Sequence, residues 1–171
     1  MSELINDLES TKIKSFMLKK GYLSKKDFVQ IGTIDCLYNF ELIIELLKIS
    51  TIKGKEKSVQ YGIKLDAKTF NNDEYHAFLD IDEVPELLGA ITIIKDSVLP
   101  MKEEEYYYSE MAYSTKDNVK VGIYKDEKTK IQYFISINNQ SIFIDSNGLL
   151  EFTKLLELSI SKYIDIEKQE I

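Results

Sequence analysis

One punctuation pattern occurs twice in this chain and limits what it can fold into. A strand-like run ends in Phe-x-Asp, the Asp opens a helix-like run, and an acidic residue lies one turn in. The first copy reads His76-Ala77-Phe78-Leu79-Asp80-Ile81-Asp82-Glu83-Val84-Pro85-Glu86. The second reads Ser141-Ile142-Phe143-Ile144-Asp145-Ser146-Asn147-Gly148-Leu149-Leu150-Glu151. At a constant offset of 65 residues, Phe78 matches Phe143, Asp80 matches Asp145, Val84 matches Leu149 and Glu86 matches Glu151. Self-similarity at a fixed offset marks a structural unit used more than once. Each copy follows alternating apolar and polar residues, so the expected unit is a set of strands closed by a helix.

Period-two alternation separates strands from helices, whose apolar positions recur near 3.6. On that basis residues 28–35 form a strand, and Phe40, Leu42, Ile44 and Leu46 alternate with Glu41 and Glu45 in the next. Phe40, Ile43, Ile44 and Leu47 also share a helical face, but the β-branched residues Ile49, Thr51 and Ile52 favour a strand. Lys53-Gly54-Lys55-Glu56-Lys57 is a polar hairpin loop, and Val59, Tyr61, Ile63 and Leu65 alternate after it. Asn71-Asn72-Asp73-Glu74 turns the chain into a strand at 75–79. A helix is expected over 82–98, capped by Asp80 or Asp82, with Pro85 in its first turn and Leu87, Leu88, Ile91 and Ile94 facing the core. Pro100 and Glu103-Glu104-Glu105 form a connector.

The second half repeats the plan. A strand at 106–115 is followed by a turn at Lys116-Asp117-Asn118 and a strand with Val119, Val121 and Ile123 on one face. After a polar turn at 125–130, Ile131, Tyr133, Ile135 and Ile137 alternate, and Asn138-Asn139-Gln140 turns into a strand at 141–144. The last helix starts at Asp145 or Ser146 and buries Leu149, Phe152, Leu155, Leu156 and Ile160. Residues 2–20 carry a further helical stripe of Leu4, Ile5, Leu8, Ile13, Phe16 and Met17, stopped at Gly21. The expected fold is α+β: two antiparallel sheets of about four strands, each followed by a helix, plus an N-terminal helix. Its segments are 1–27, 28–100 and 101–171, sharing one core.

Composition narrows the function classes. At 171 residues, 44% hydrophobic and 30% charged, the chain can bury a sizeable core. No apolar run approaches the ~18 residues of a membrane span. Met1-Ser2-Glu3-Leu4-Ile5-Asn6-Asp7 lacks the basic and apolar regions of a secretory signal, so the expected location is the cytoplasm. With Cys36 alone there is no intrachain disulfide and no cysteine metal cluster. All 22 basic residues are lysines, so no guanidinium is present for bidentate base or phosphate recognition. Residues 1–70 hold 12 lysines against 9 acids, whereas residues 71–171 hold 10 against 20. Proteins whose main partner is a polyanion are usually basic, and this chain has a net charge of −7.

Asp80, Asp82 and Glu83 open like a calcium loop, but Pro85 stands where that loop needs glycine, and helix capping accounts for the acids. His76 is the only histidine and has no nucleophile motif around it. Neither a Walker loop nor a dinucleotide fingerprint occurs. The expected class is a non-enzymatic binding or protein-interaction module with no catalytic residue, metal or cofactor. Self-association across an open sheet edge is one form this can take.

An alternative rests on Tyr106-Tyr107-Tyr108, which Tyr113, Tyr124 and Tyr133 would extend into an aromatic strip. Lys116, Lys120, Lys125, Lys128 and Lys130 lie on the same hairpin, and Lys53, Lys55 and Lys57 lie on another. Aromatics interleaved with lysines on a sheet suit sequence-tolerant binding of single-stranded nucleic acid. Four strands and a helix, used twice, resembles the duplicated unit of the Whirly and Pur-alpha families, which bind such ligands. The resemblance is one of layout and covers most of residues 28–165. The Whirly Lys-Gly-Lys signature is echoed at Lys53-Gly54-Lys55, where Glu56 and Lys57 stand in place of small and apolar residues. Residues 113–163 are also similar to small uncharacterised bacterial proteins with the same strand-strand-strand-helix rhythm, which imply no function.

Overall fold

A computed structural model describes residues 10–97, 106–128 and 130–170. A short helix α1 (Lys12–Met17) precedes four strands: β1 (Leu23–Asp35), β2 (Glu41–Lys53), β3 (Glu56–Lys68) and β4 (Glu74–Asp80). Helix α2 (Val84–Asp96) leads to β5 (Tyr108–Ser114), β6 (Lys120–Asp126), β7 (Gln132–Ile137) and β8 (Gln140–Ile144), and α3 (Ser146–Gln169) ends the described chain. Each set of strands pairs in chain order into an antiparallel four-stranded sheet. The protein is therefore α+β with two antiparallel four-stranded sheets and helices.

The hairpins follow from turn chemistry. Lys53 pairs with Glu56 across Gly54 and Lys55, and Gly54 takes the positive φ of +61° that the tight turn demands. Ile137 pairs with Gln140 across Asn138 and Asn139, whose φ values of 50° and 64° fit the same class of turn. Two other turns use one recipe. At Thr69 and at Thr115, the threonine N–H donates to the carbonyl four residues on, at 3.0 and 2.9 Å. Each threonine Oγ1 accepts the N–H of that same later residue at 3.2 Å, and the intervening Asn72 or Asn118 has a positive φ. Asparagine is suited to that left-handed position.

The two sheets and both long helices share one core, with Leu42, Ile44, Ile63, Leu65 and Leu79 from the first sheet and Val121, Ile135, Ile142 and Ile144 from the second. Each helix packs on the sheet it does not follow. Helix α2 lies against β5 and β6, and α3 lies against β1 and β2. Leu155 of α3 comes so close to Gly32 that a side chain there would begin 2.7 Å from its Cδ2 atom.

Several boundaries differ from expectation. The first strand begins at Leu23 rather than at 28, because it pairs with the far end of β2 through Leu23 and Ile52. Its polar run Lys25-Lys26-Asp27 hid it, and a segment boundary at 28 cuts the strand. The helix expected from 82 begins at Val84, after a 3-10 turn over Ile81–Glu83. The N-terminal helix spans only Lys12–Met17 in the described part, with Thr11 Oγ1 accepting the Lys14 N–H at 3.2 Å. The remainder of that expected helix over 2–9, and the connector at Pro100 and 103–105, lie outside the described residues.

Candidate binding surface on the second sheet

The register of the second sheet sorts its side chains. Met111, Ile123, Tyr133 and Ile144 are cross-strand neighbours, as are Tyr113, Val121, Ile135 and Ile142, and both rows face the core. The alternate residues point the other way. These are Tyr108 and Glu110 on β5, Lys120, Gly122 and Tyr124 on β6, Phe134 and Ser136 on β7, and Ser141 and Phe143 on β8. Gly122 leaves a dent that Phe134 fills, since a Cβ there would stand 2.7 Å from the ring's Cζ.

The result is a connected set of rings on an outer face. Tyr124 is central: its centroid lies 6.1 Å from Tyr108, 6.0 Å from Phe134 and 6.1 Å from Phe143. Tyr38, from the turn between β1 and β2, meets Phe143 edge-on at 6.0 Å. Tyr38 and Asn39 both hold positive φ in that turn, and Tyr38 is 70% exposed. The rings surround an open depression of about 250 Å³, with Glu110, Lys120, Ser136 and Ser141 supplying polar atoms. The Tyr108 hydroxyl donates to Glu110, which with burial pushes its pKa up to about 12. Burial and the charge of Asp126 also raise Tyr124. Both phenols are thus neutral at ordinary pH.

Only part of the expected lysine and tyrosine set converges here. Tyr124 and Lys120 share the depression, and Lys128 lies beside Tyr107 and Tyr108 at its rim. Lys125 is the strand neighbour of Tyr124 and so takes the opposite face. Lys130 is exposed just before β7. Lys116 turns to the seam between the halves, where its N–H donates to Glu83 Oε1 at 2.9 Å and its Nζ lies 4.0 Å from Asp80 Oδ2. Lys53, Lys55 and Lys57 sit at the far end of β2 from Tyr38; 13 residues at ~3.3 Å each separate them by roughly 40 Å. Tyr113 and Tyr133, expected to extend the strip, face the core instead, and the Tyr113 hydroxyl donates to Glu86 Oε2 at 3.1 Å. Their parity with Val121 and Ile123 is the reason. Phe134, Phe143 and Tyr38 were missed. Period-two counting along β7 and β8 would have found the first two, whereas no local signal marks Tyr38.

Other chemistry-bearing residues lie elsewhere. Asp80 and Glu83 form a capping box in which Glu83 Oε2 accepts the Asp80 N–H at 2.9 Å. The buried Asp80 carboxylate also accepts the N–H groups of Lys12 and Ile13, at 2.8 and 3.0 Å, and so anchors α1. Among the described residues, no group of three His, Cys, Asp or Glu side chains is placed to hold a metal ion. Burial pushes the Cys36 thiol up to about 12, far from the thiolate that nucleophilic chemistry needs. No helix among the described residues is long and apolar enough to cross a membrane. No protein-family model matches the chain, and no curated protein matches it.

Proposed function

We propose that this chain is a non-enzymatic binding module that engages a protein partner through the outer aromatic face of its second sheet. The observation carrying this reading is the ring set centred on Tyr124, held together on the side of the sheet away from the core. Aromatic side chains with few charges among them characterise the energetic centres of protein interfaces. Here Glu110 and Lys120 are the charged groups that line the depression. The same reading takes the two halves as copies of one strands-and-helix unit. The matched Phe-x-Asp elbows and the identical pairing order of the sheets support that. The test places a photo-crosslinking residue at Tyr124 and, as a control, at Lys162 on exposed α3. A partner captured only at Tyr124 is then purified and its affinity measured. Truncating Tyr124 and Phe143 together should weaken that affinity at least tenfold. Equal capture at both positions, or unchanged affinity, sinks the reading.

A second reading has its own support: Lys120 lies beside Tyr124 in one depression, a ring-and-cation pair suited to a single nucleic-acid strand. Anisotropy with labelled oligo-dT tests it. Binding should be weak, fall steeply with salt and ignore sequence. Tyr124→Ala should weaken it, and the double variant Lys120→Glu, Lys128→Glu should abolish it. Absence of binding at low salt with tens of micromolar protein eliminates it.

A further inference from the structure

A second concavity lies at the seam between the halves. Helix α1, strand β4, the β5–β6 turn and the β7–β8 turn enclose a cleft of about 300 Å³ lined by Lys14, His76, Asp117, Asn118, Asn138 and Asn139, with Phe78 at its base. That volume falls at the small end of the ~300–1,000 Å³ range of small-molecule sites. We propose that this cleft binds a small neutral polyhydroxylated compound, a monosaccharide or cyclitol.

Charge selects the class. Lys14 Nζ lies 2.5 Å from Asp117 Oδ1, while Asp117 Oδ2 accepts the Phe78 N–H at 2.8 Å. The ammonium is thus paired with a carboxylate, and these two charges cancel within the cleft. The carboxylate already accepts on both oxygens, and it is the one acidic side chain among the described residues that line the cleft. What the cleft does offer is unpaired hydrogen-bonding capacity. Among the described residues, the side chains of Asn118, Asn138, Asn139 and His76 make no hydrogen bond. Each amide carries both donors and an acceptor, and a hydroxyl group likewise donates and accepts. Several such amides around one cleft match adjacent hydroxyls. The His76 ring, packed on Phe78 with centroids 6.0 Å apart, supplies a wall for the C–H face of such a molecule. The walls are preset, because both asparagine turns are closed by their own backbone pairing and the Asp117 carboxylate pins one of them to β4.

The test is a ¹⁵N–¹H correlation titration of the intact chain with glucose, N-acetylglucosamine and myo-inositol, run beside sodium phosphate and calcium chloride. At least one neutral compound should give saturable shifts of the Asn118, Asn138 and Asn139 side-chain amides. The double variant Asn138→Gly, Asn139→Gly should weaken that binding at least tenfold. Glycine supports the positive φ of the turn, so resonances elsewhere should stay in place. The proposal is overturned if none of the three neutral compounds shifts these amides, if the double variant binds as well, or if only phosphate or calcium produces the shifts.

Discussion

The two sheets treat their outer faces differently. On the first, α1 lays Ile13, Phe16 and Met17 over Leu47, Ile49 and Phe78. On the second, no described helix plays that part, and Phe134 and Phe143 pack beside Tyr124 instead. Both faces are dented by a glycine. A Cβ on Gly62 would stand 2.9 Å from Ile13, whereas the dent at Gly122 takes the sheet's own Phe134. The matched phenylalanines share these fates, since Phe78 is 5% exposed beneath the helix while Phe143 meets the exposed Tyr38. Holding a helix of six residues on a sheet needs anchors, because so short a helix is not stable alone. The first half provides them at Asp80 and at Asp82 with Lys12, and the second half adds Asp117 with Lys14. At the second elbow, Asp145 caps its own helix through the Gly148 N–H at 2.7 Å, and Gly148 stands where the first elbow has Glu83.

The strongest way to break the contrast is Asp80→Ala. It strips a buried carboxylate from two helix amides, and hydrogen bonds to charged groups contribute ~1.5–3 kcal/mol each. A stability loss of roughly 3 kcal/mol in urea is expected, with fast amide exchange in α1, leaving the first face as open as the second. A loss below about 1 kcal/mol would show that α1 is held chiefly by its apolar contacts.

Gly62→Ala and Gly122→Ala sharpen the comparison of the two dents. An added Cβ meets the Leu79 carbonyl at 3.0 Å in the first case and the Met111 carbonyl at 2.7 Å in the second. Overpacking typically costs about 1–3 kcal/mol. The tighter backbone contact should make Gly122→Ala the more damaging by thermal unfolding, and equal losses would mean the second sheet yields as easily as α1.

Asp145→Ala removes a cap that serves one helix only, so it should cost about 0.5–2 kcal/mol without exposing a sheet face. Denaturant unfolding together with unchanged exchange in α1 checks this. The smallest effect concerns the exposed pair of Lys12 and Asp82. A hydrogen bond from Lys12 holds the Asp82 carboxyl below its ordinary value, while the same bond raises Lys12. A carboxylate lowered on folding adds stability above its unfolded pKa of ~3.9 and loses it as pH falls through the lower folded value. Solvent screening limits the gain to ~1 kcal/mol or less. Asp82→Asn should therefore differ slightly from wild type near neutral pH, with the gap closing below about pH 4. A gap that persists in acid would assign the effect to packing.

Short-range chemistry was legible in the residues themselves. Alternation placed Val121 and Ile123 on one face of their strand and Ile135 and Ile137 on one face of theirs, all of them buried, and Asp145 was readable as a helix start. Asn138 and Asn139 were readable as a turn, because left-handed backbone selects few residue types. Parity also separates Tyr124 from Tyr113, because Tyr113 is the cross-strand partner of Val121 while Tyr124 alternates with Val121 and Ile123. Tertiary structure decided the remainder. It sent α2 and α3 to the opposite sheets, assigned Asp80 to a helix 67 residues away, and brought Tyr38 against Phe143. It also gathered Lys14, His76 and three asparagines around one cleft. Periodicity and turn preference report each residue's immediate neighbours along the chain. Which sheet a helix covers, and which distant amide a buried carboxylate must satisfy, depend on surfaces that exist only once both halves have packed together.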